Sequence, residues 1–313
     1  MRALRVAEGR TKLEEVPVPD AAGEAVVRVT LSGVCNTDLE LARGYAGFRG
    51  TIGHEFVGVV EDPGGGPIAR GERVVGEINA GCGDCARCRR SDPRHCPNRT
   101  VLGIVGRDGA HADLLRLPAR NLVRVPDAVT DVQAVFVEPL AAAWGVLERC
   151  PMALGTKVAV VGDGKLGLLC AMVLRAQGLA PVLIGKHASK LALARGVETF
   201  TLDARPADRS FDVVVEATGA PAGLELATAL LVPQGKLVLK STFHGLASFD
   251  TARVVVDELQ IIGSRCGRFA PALELLPQID VEALVSEVVP LERGVDALQR
   301  AAAPGVLKVL LSR

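Results

Sequence analysis

The chain has 313 residues, enough for one large or two ordinary domains, and its 36 basic and 36 acidic side chains cancel, where a nucleic-acid-binding protein carries a basic excess. With 49% hydrophobic and 23% charged residues it can bury a sizeable core, and 3% aromatics leave little material for a base-stacking surface. No apolar run approaches the roughly 18 residues of a membrane helix, and the opening MRALRVAEGR lacks the apolar centre of a secretory signal. A cytoplasmic protein that engages neither nucleic acid nor membrane is expected.

Up to about residue 125 the chain consists of short β-type runs, at 24–31, 56–61 and 112–117, separated by Gly and Pro as in Pro63-Gly64-Gly65-Gly66-Pro67. This half reads as a small β-barrel-like domain. Three motifs stand beside or beyond these runs: Gly33-Val34-Cys35-Asn36-Thr37-Asp38, Gly53-His54-Glu55 and Glu138-Pro139-Leu140. Each has a plain explanation alone, a Cys as a small core residue or a His as a hydrogen-bonded one. Together they offer one thiolate, one imidazole and one or two carboxylates, the make-up of a catalytic zinc site that keeps a position open for water or substrate.

Cys82-Gly83-Asp84-Cys85-Ala86-Arg87-Cys88, followed by seven residues and then Cys96, places four thiols in a short loop. Four such ligands suit a closed tetrahedral zinc site that shapes the loop and does no chemistry. Arg87, Arg89 and Arg90 are expected to favour the thiolates. The alternative is four unligated cysteines or a redox pair, but overlapping C-x-x-C units with a fourth Cys at loop distance point to metal in a chain of this kind. Cys150, Cys170 and Cys266 are scattered.

A helical segment at 131–149 leads into a different pattern. Apolar runs at 157–161, 181–184, 197–202, 211–216, 235–240 and 259–262 alternate with helical stretches, which predicts a doubly wound parallel sheet of six strands. The first run leads directly into Gly162-Asp163-Gly164-Lys165-Leu166-Gly167, a G-x-G-x-x-G turn that opens a helix over 168–177. Its glycines permit a tight turn and close approach of a pyrophosphate to a helix N-terminus; position between strand and helix distinguishes it from an ordinary Gly-rich turn. At the end of the second run, where an Asp or Glu binds the ribose hydroxyls of NAD, stands Gly185, with Lys186, His187 and Lys190 beside it. A missing acid and nearby positive charge favour NADP, and Gly185→Asp is expected to shift preference toward NAD. The alternative is that these are solvated surface residues and NAD binds without its carboxylate. The tail from about residue 269 reads helix, strand, helix, strand; its last run, 306–311, finds no partner among the six and is expected to return to the first domain.

Taken in order, these motifs resemble the zinc-containing medium-chain dehydrogenase/reductase superfamily of alcohol, polyol, glucose and threonine dehydrogenases. The resemblance extends along nearly the whole chain, through Gly71-Glu72-Arg73-Val74-Val75, Cys96-Pro97-Asn98, the stretch 122–126 and Glu216-Ala217-Thr218-Gly219. It implies an α/β protein: a GroES-like β-barrel catalytic domain at 1–122, completed by 268–313, and a Rossmann dinucleotide-binding domain with a six-stranded doubly wound parallel sheet at 123–267. It further implies two Zn2+ per chain. Cys35 and His54 would be catalytic zinc ligands, with Glu55 and Glu138 completing or exchanging in the sphere; Cys82, Cys85, Cys88 and Cys96 would hold structural zinc. Asp38 would fix the His54 tautomer, and Thr37 would be the hydroxyl of the proton relay. Gly162, Gly164, Lys165, Leu166, Gly167 and Lys190 would face adenosine and pyrophosphate, and Lys240, Ser241, Thr242, Ser264 and Arg265 the ribose and nicotinamide.

Departures narrow the expected activity. Glu40 stands where some alcohol dehydrogenases have a relay histidine, either as a proton carrier or as a solvated carboxylate. Glu138 replaces the Cys of the simple alcohol and cinnamyl alcohol branches, pointing toward polyol, sugar, cyclitol or threonine-like substrates. The stretch between Asp38 and His54 is short for the family. The expected activity is hydride transfer between NAD(P), NADP favoured, and a secondary alcohol or ketone, by a homodimer or homotetramer. An NADPH-dependent aldehyde reductase is the alternative, and a non-catalytic binding protein of the same fold a distant one.

Overall fold

The computed structural model describes residues 1–21, 23–242 and 248–313. The chain forms two compact units, one of Met1–Glu138 with Val281–Arg313, the other of Pro139–Asp280. The divisions therefore fall at 138/139 and 280/281 instead of 122/123 and 267/268. Residues 123–138 join the first unit, where the helix Asp131–Val135 packs on the strands Ala25–Gly33 and Glu55–Asp62, and residues 268–280 stay with the second.

The first unit is built on a seven-stranded sheet. Its order runs Leu122–Arg124, Arg73–Gly76, Glu55–Asp62, Ala25–Gly33, Lys308–Ser312, Val285–Pro290, with Leu114–Leu117 also paired to Ala25–Gly33. Alternation along Ala25–Gly33 sends Ala25, Val27 and Val29 into one core with Phe56, Val60, Val74, Leu115 and Leu117. Each such buried Val, Leu or Phe side chain contributes about 1.5–3 kcal/mol. The terminal strand, expected to return here, does so: Leu310 lies opposite Gly33 in an antiparallel pair, and Val289 opposite Leu311 in a parallel one. Val309 and Leu311 enter a second core with Leu4, Val6, Ile52 and Leu298. Alternation then turns Lys308 and Leu310 to the opposite face.

The second unit holds all six expected strands in parallel, ordered Glu198–Thr201, Val182–Gly185, Val158–Val161, Phe211–Glu216, Leu231–Leu239, Gln260–Gly263. Val158–Val161 is buried along its whole length, as a central parallel strand covered on both faces must be. The helix expected at 131–149 is divided into Asp131–Val135 and Val137–Arg149. Pro139 explains the break, since it has no N–H and its ring collides with the carbonyl four residues back unless it sits in a first turn. No helix among the described residues is long and apolar enough to cross a membrane.

Candidate metal centre and dinucleotide turn

Cys35 follows the strand Ala25–Gly33 by two residues and caps the helix Asn36–Ala42; His54 immediately precedes the strand Glu55–Asp62, which Glu55 begins. Gly33 pairs with Glu55 across these two strands, which brings the motifs together. One ligand atom each of Cys35, His54 and Glu55 lies within 4.8 Å of the others, so a thiol, an imidazole and a carboxylate converge on one point. Sulfur, nitrogen and oxygen donors so spaced fit a zinc ion with room for one further ligand.

Asp38 organises this convergence. One of its oxygens accepts from the N–H of Cys35 at 2.8 Å, the other from the N–H of Gly53 at 3.1 Å, so a single carboxylate ties both ligand-bearing segments. The bond to Cys35 is the return half of a capping box. Asp38 is fully buried and faces two rings, His54 Nδ1 at 3.4 Å and His111 Nε2 at 3.6 Å. Burial pushes its carboxyl up, but the His54 charge and the His111 hydrogen bond outweigh this and hold it well below the usual range. Burial likewise opposes the His54 charge, and Asp38 with Cys35 raises the ring well above its ordinary value. His111, whose Nδ1 shares a hydrogen with Ser32 Oγ at 2.9 Å, has no sequence motif around it. Its segment hydrogen-bonds residues 52 and 53, and a side chain at Gly53, where φ is +97°, would strike its ring.

The largest feature absent from the sequence reading is Lys308. Its ammonium is wholly buried, ion-paired with Glu55, 3.4 Å from the carbonyl of Val34 and 5.6 Å from the centre of the Phe136 ring. Burial disfavours its charge, but Glu55, Cys35 and Glu138 together raise its pKa. Glu138 adds its charge to the field at Lys308, and the three-donor cluster among the described residues is Cys35, His54 and Glu55. Thr37 is half-buried on the same short helix. Glu40 is engaged by Arg43 at 2.9 Å, a surface i,i+3 pair.

The four loop cysteines also converge, all sulfurs lying within 4.8 Å of one another, with Cys82–Cys96 at 3.5 Å and Cys85–Cys96 at 3.7 Å. Tetrahedral Zn–S bonds of about 2.3 Å require sulfur separations of about 3.8 Å, so the set fits. Cys85 caps the helix Ala86–Arg89, and a Cβ at Gly81 would lie 2.8 Å from Cys88 Sγ. The expected role of the arginines is not met. Arg87 pairs with Asp92 and Arg89 bonds the Asp84 carbonyl, whereas the backbone N–H of Cys82 brings Cys96 down to about 7. A hydrogen bond with Asp84 takes Cys82 up to about 12.

In the second unit, Gly162 has φ +125°, and a Cβ there would lie 2.7 Å from the Ala217 carbonyl; Gly167 packs against the carbonyl of Gly162. Gly164 caps the helix Lys165–Ala176 and has nothing within 4 Å of the Cβ position. Lys165 and Leu166 open the first turn, where N–H groups lack intrahelical partners. This open cradle at a helix N-terminus fits a dinucleotide pyrophosphate. Ser241 Oγ donates to Glu216 and accepts from Gly219 N–H, and Lys240 Nζ donates to the carbonyls of Ser264 and Arg265, so these residues brace the strand ends; Thr242 is exposed.

The Gly185 position is not the vacancy expected. Asp163, the second residue of the Gly-rich turn, lies against it, and a Cβ at Gly185 would be 2.5 Å from that of Asp163. Lys186 and His187 are exposed, and Lys190 is half-buried on the helix Ala188–Leu191.

Residues 21–127 match the family described as alcohol dehydrogenase GroES-like domain, and residues 166–280 match zinc-binding dehydrogenase. An L-threonine 3-dehydrogenase of Streptomyces coelicolor is 34% identical over 276 residues, covering 80% of this chain and 79% of its own. A zinc-binding dehydrogenase of Sinorhizobium meliloti 1021, solved with NADP bound, superposes with TM-score 0.89 at 27% identity, covering 100% of this chain and 99% of the other. An alcohol dehydrogenase, RspB, of Escherichia coli CFT073, solved with NADH, gives 0.89 at 26% identity over the same shares. The two-unit fold, the clustered zinc-type donors, the Gly-rich turn and these likenesses agree: the chain belongs to the zinc-containing medium-chain dehydrogenase/reductase superfamily and is an alcohol dehydrogenase-like oxidoreductase.

Proposed function

We propose that this chain moves hydride between NAD(P) and a secondary alcohol or its ketone, with a polyol, sugar, cyclitol or threonine-like substrate, using one catalytic and one structural zinc. The convergence of Cys35, His54 and Glu55 carries the reading, because three protein donors of mixed type leave a position for a substrate oxygen. When bound, zinc supplies Lewis acidity toward that oxygen and the nicotinamide supplies the hydride site. Asp38 engages Nδ1 of His54, which leaves Nε2 to ligate. Lys308 keeps Glu55 in a defined orientation, and Glu138 adds negative charge around that ammonium. Thr37 passes the hydroxyl proton outward, while Glu40 is committed to Arg43. Cys82, Cys85, Cys88 and Cys96 hold the second ion. Gly162, Gly164, Lys165, Leu166 and Gly167 receive the pyrophosphate, and Ser241, Thr242, Ser264 and Arg265 lie toward the nicotinamide half. Charge at Lys186 and Lys190, with His187 beside them, supports NADP, the form expected from the sequence; the position of Asp163 opposes it.

All eight cysteines are free of disulfides, the state a cytoplasmic compartment preserves. Exposed Val255, Val256 and Ile261 near the last strand of the parallel sheet suit association into a homodimer or homotetramer. The test is a panel of polyols, sugars, threonine and simple secondary alcohols, each with NAD and NADP, on protein of known zinc content. Turnover on a secondary alcohol with two zincs bound supports the reading. Silence across the panel, with one zinc bound or none, refutes it.

A further inference from the structure

The acid missing from the strand end at Gly185 is present from another direction. Asp163 follows the strand Val158–Val161 by two residues, and its Cβ, Cγ and Oδ2 lie 2.5–2.8 Å from where a Gly185 side chain would begin. Glycine at 185 is therefore the condition for an aspartate at 163, since the two side chains compete for one space. The carboxylate is anchored on one side. Oδ2 accepts from the N–H of Lys186 at 2.7 Å, from the N–H of His187 at 2.6 Å and from His187 Nδ1 at 2.9 Å. Oδ1 accepts no hydrogen bond among the described residues, and the side chain keeps 12% of its surface exposed. One oxygen is saturated and fixes the group; the other keeps its lone pairs free on a side chain that lies against Gly185, one residue before the cap at Gly164.

Resting on the dehydrogenase reading above, we infer that Asp163, from the Gly-rich turn, is the acceptor for the adenosine ribose hydroxyls and makes this protein select NAD over NADP. A vicinal diol donates to a free carboxylate oxygen. A 2′-phosphate has no proton to give at neutral pH and brings about 1.5–2 negative charges against it. The opposing charges are weaker because of how they are held. Lys186 is exposed and must surrender rotamer freedom to meet a phosphate, and His187 has already committed Nδ1 to Asp163. The carboxylate is preorganised and largely buried, and its three donors keep it ionised against that burial.

The same geometry reverses the expectation for Gly185→Asp. A second carboxylate there would collide with Asp163 and repel it instead of restoring an NAD site.

Isothermal titration of the zinc-loaded chain with NAD, NADP, 5′-AMP and 2′,5′-ADP tests the inference without reference to turnover. The expected result is tighter binding of NAD than NADP by about tenfold or more, with the same order in the mononucleotide pair. Asp163→Asn keeps a carbonyl oxygen for the three anchoring donors and turns the outward oxygen into an amide donor. It is expected to move the NAD-to-NADP ratio toward NADP by about tenfold or more at unchanged melting temperature. Wild-type binding of NADP as tight as NAD, or an unchanged ratio in a folded Asn variant, overturns the inference and leaves the dehydrogenase reading standing. Binding of neither dinucleotide overturns both. Should the variant not fold, the wild-type ratio and the mononucleotide pair still decide.

Discussion

Replacing Lys308 by Met removes the ammonium and keeps the length of the stem over Phe136. In the intact protein the two charges are 0% and 1% exposed, so neither group has water to fall back on. Removing one partner of such a pair leaves an uncompensated buried charge and costs about 3–5 kcal/mol. Apolar contact of the Met side chain returns about 1 kcal/mol, for a net loss of about 3 kcal/mol in metal-free protein. At ~2–4 °C per kcal/mol for units of this size, the melting temperature falls by ~6–12 °C. With zinc bound, the dication becomes the counter-charge of Glu55, and the loss shrinks to about 1 kcal/mol. The assay is thermal and urea denaturation of wild type and Lys308→Met, each metal-free and zinc-loaded; any contribution of the four-cysteine loop cancels within each metal state. Adding Glu55→Gln to Lys308→Met removes the stranded charge and recovers most of the metal-free loss, a coupling of about 2 kcal/mol. A loss below about 1 kcal/mol without metal, or an equal loss in both states, refutes the reasoning.

Cys35→Ser is expected to lower turnover by at least ~100-fold and zinc content by one, with an unchanged far-UV spectrum; wild-type rate would remove Cys35 from the ligand set. Cys96→Ser, which removes a fully buried sulfur at the centre of the cysteine loop, is expected to abolish the other zinc and lower the melting temperature while dinucleotide affinity is preserved. Loss of dinucleotide affinity in that variant would show that the loop does more than hold its own shape. Hydrogen bonds from Arg107 hold the Glu24 carboxyl below its usual range despite partial burial. A lowered pKa gives stability that is complete above about pH 4.3 and is lost as pH falls through the folded value. Arg107→Ala is therefore expected to cost about 1 kcal/mol at neutral pH and much less near pH 3, by urea denaturation. An equal difference at both pH values would mean that the pair contributes nothing through charge.

Whatever depended on neighbours in the chain was legible in the sequence. The four loop cysteines span fifteen positions, so their spacing alone confines the sulfurs, and six apolar runs parted by helical stretches have one common parallel arrangement. The Gly-rich turn was readable because strand, turn and helix are consecutive. The return of the last strand to the first unit was legible as a run without a partner. Its consequence was not: Lys308 meets Glu55 across 253 residues, and only the pairing of that strand with Ala25–Gly33 sets the ammonium beside the cluster of Cys35, His54 and Glu55. His111 is the same case, a lone ring in the sequence that the packing of its segment against residues 52 and 53 carries to Asp38. At Gly185 the sequence showed an absent acid and nearby lysines, but a residue's name does not say which neighbouring side chain fills the space it leaves. Adjacent parallel strands put Asp163 there, 22 positions earlier in the chain, because strand register joins what chain order separates.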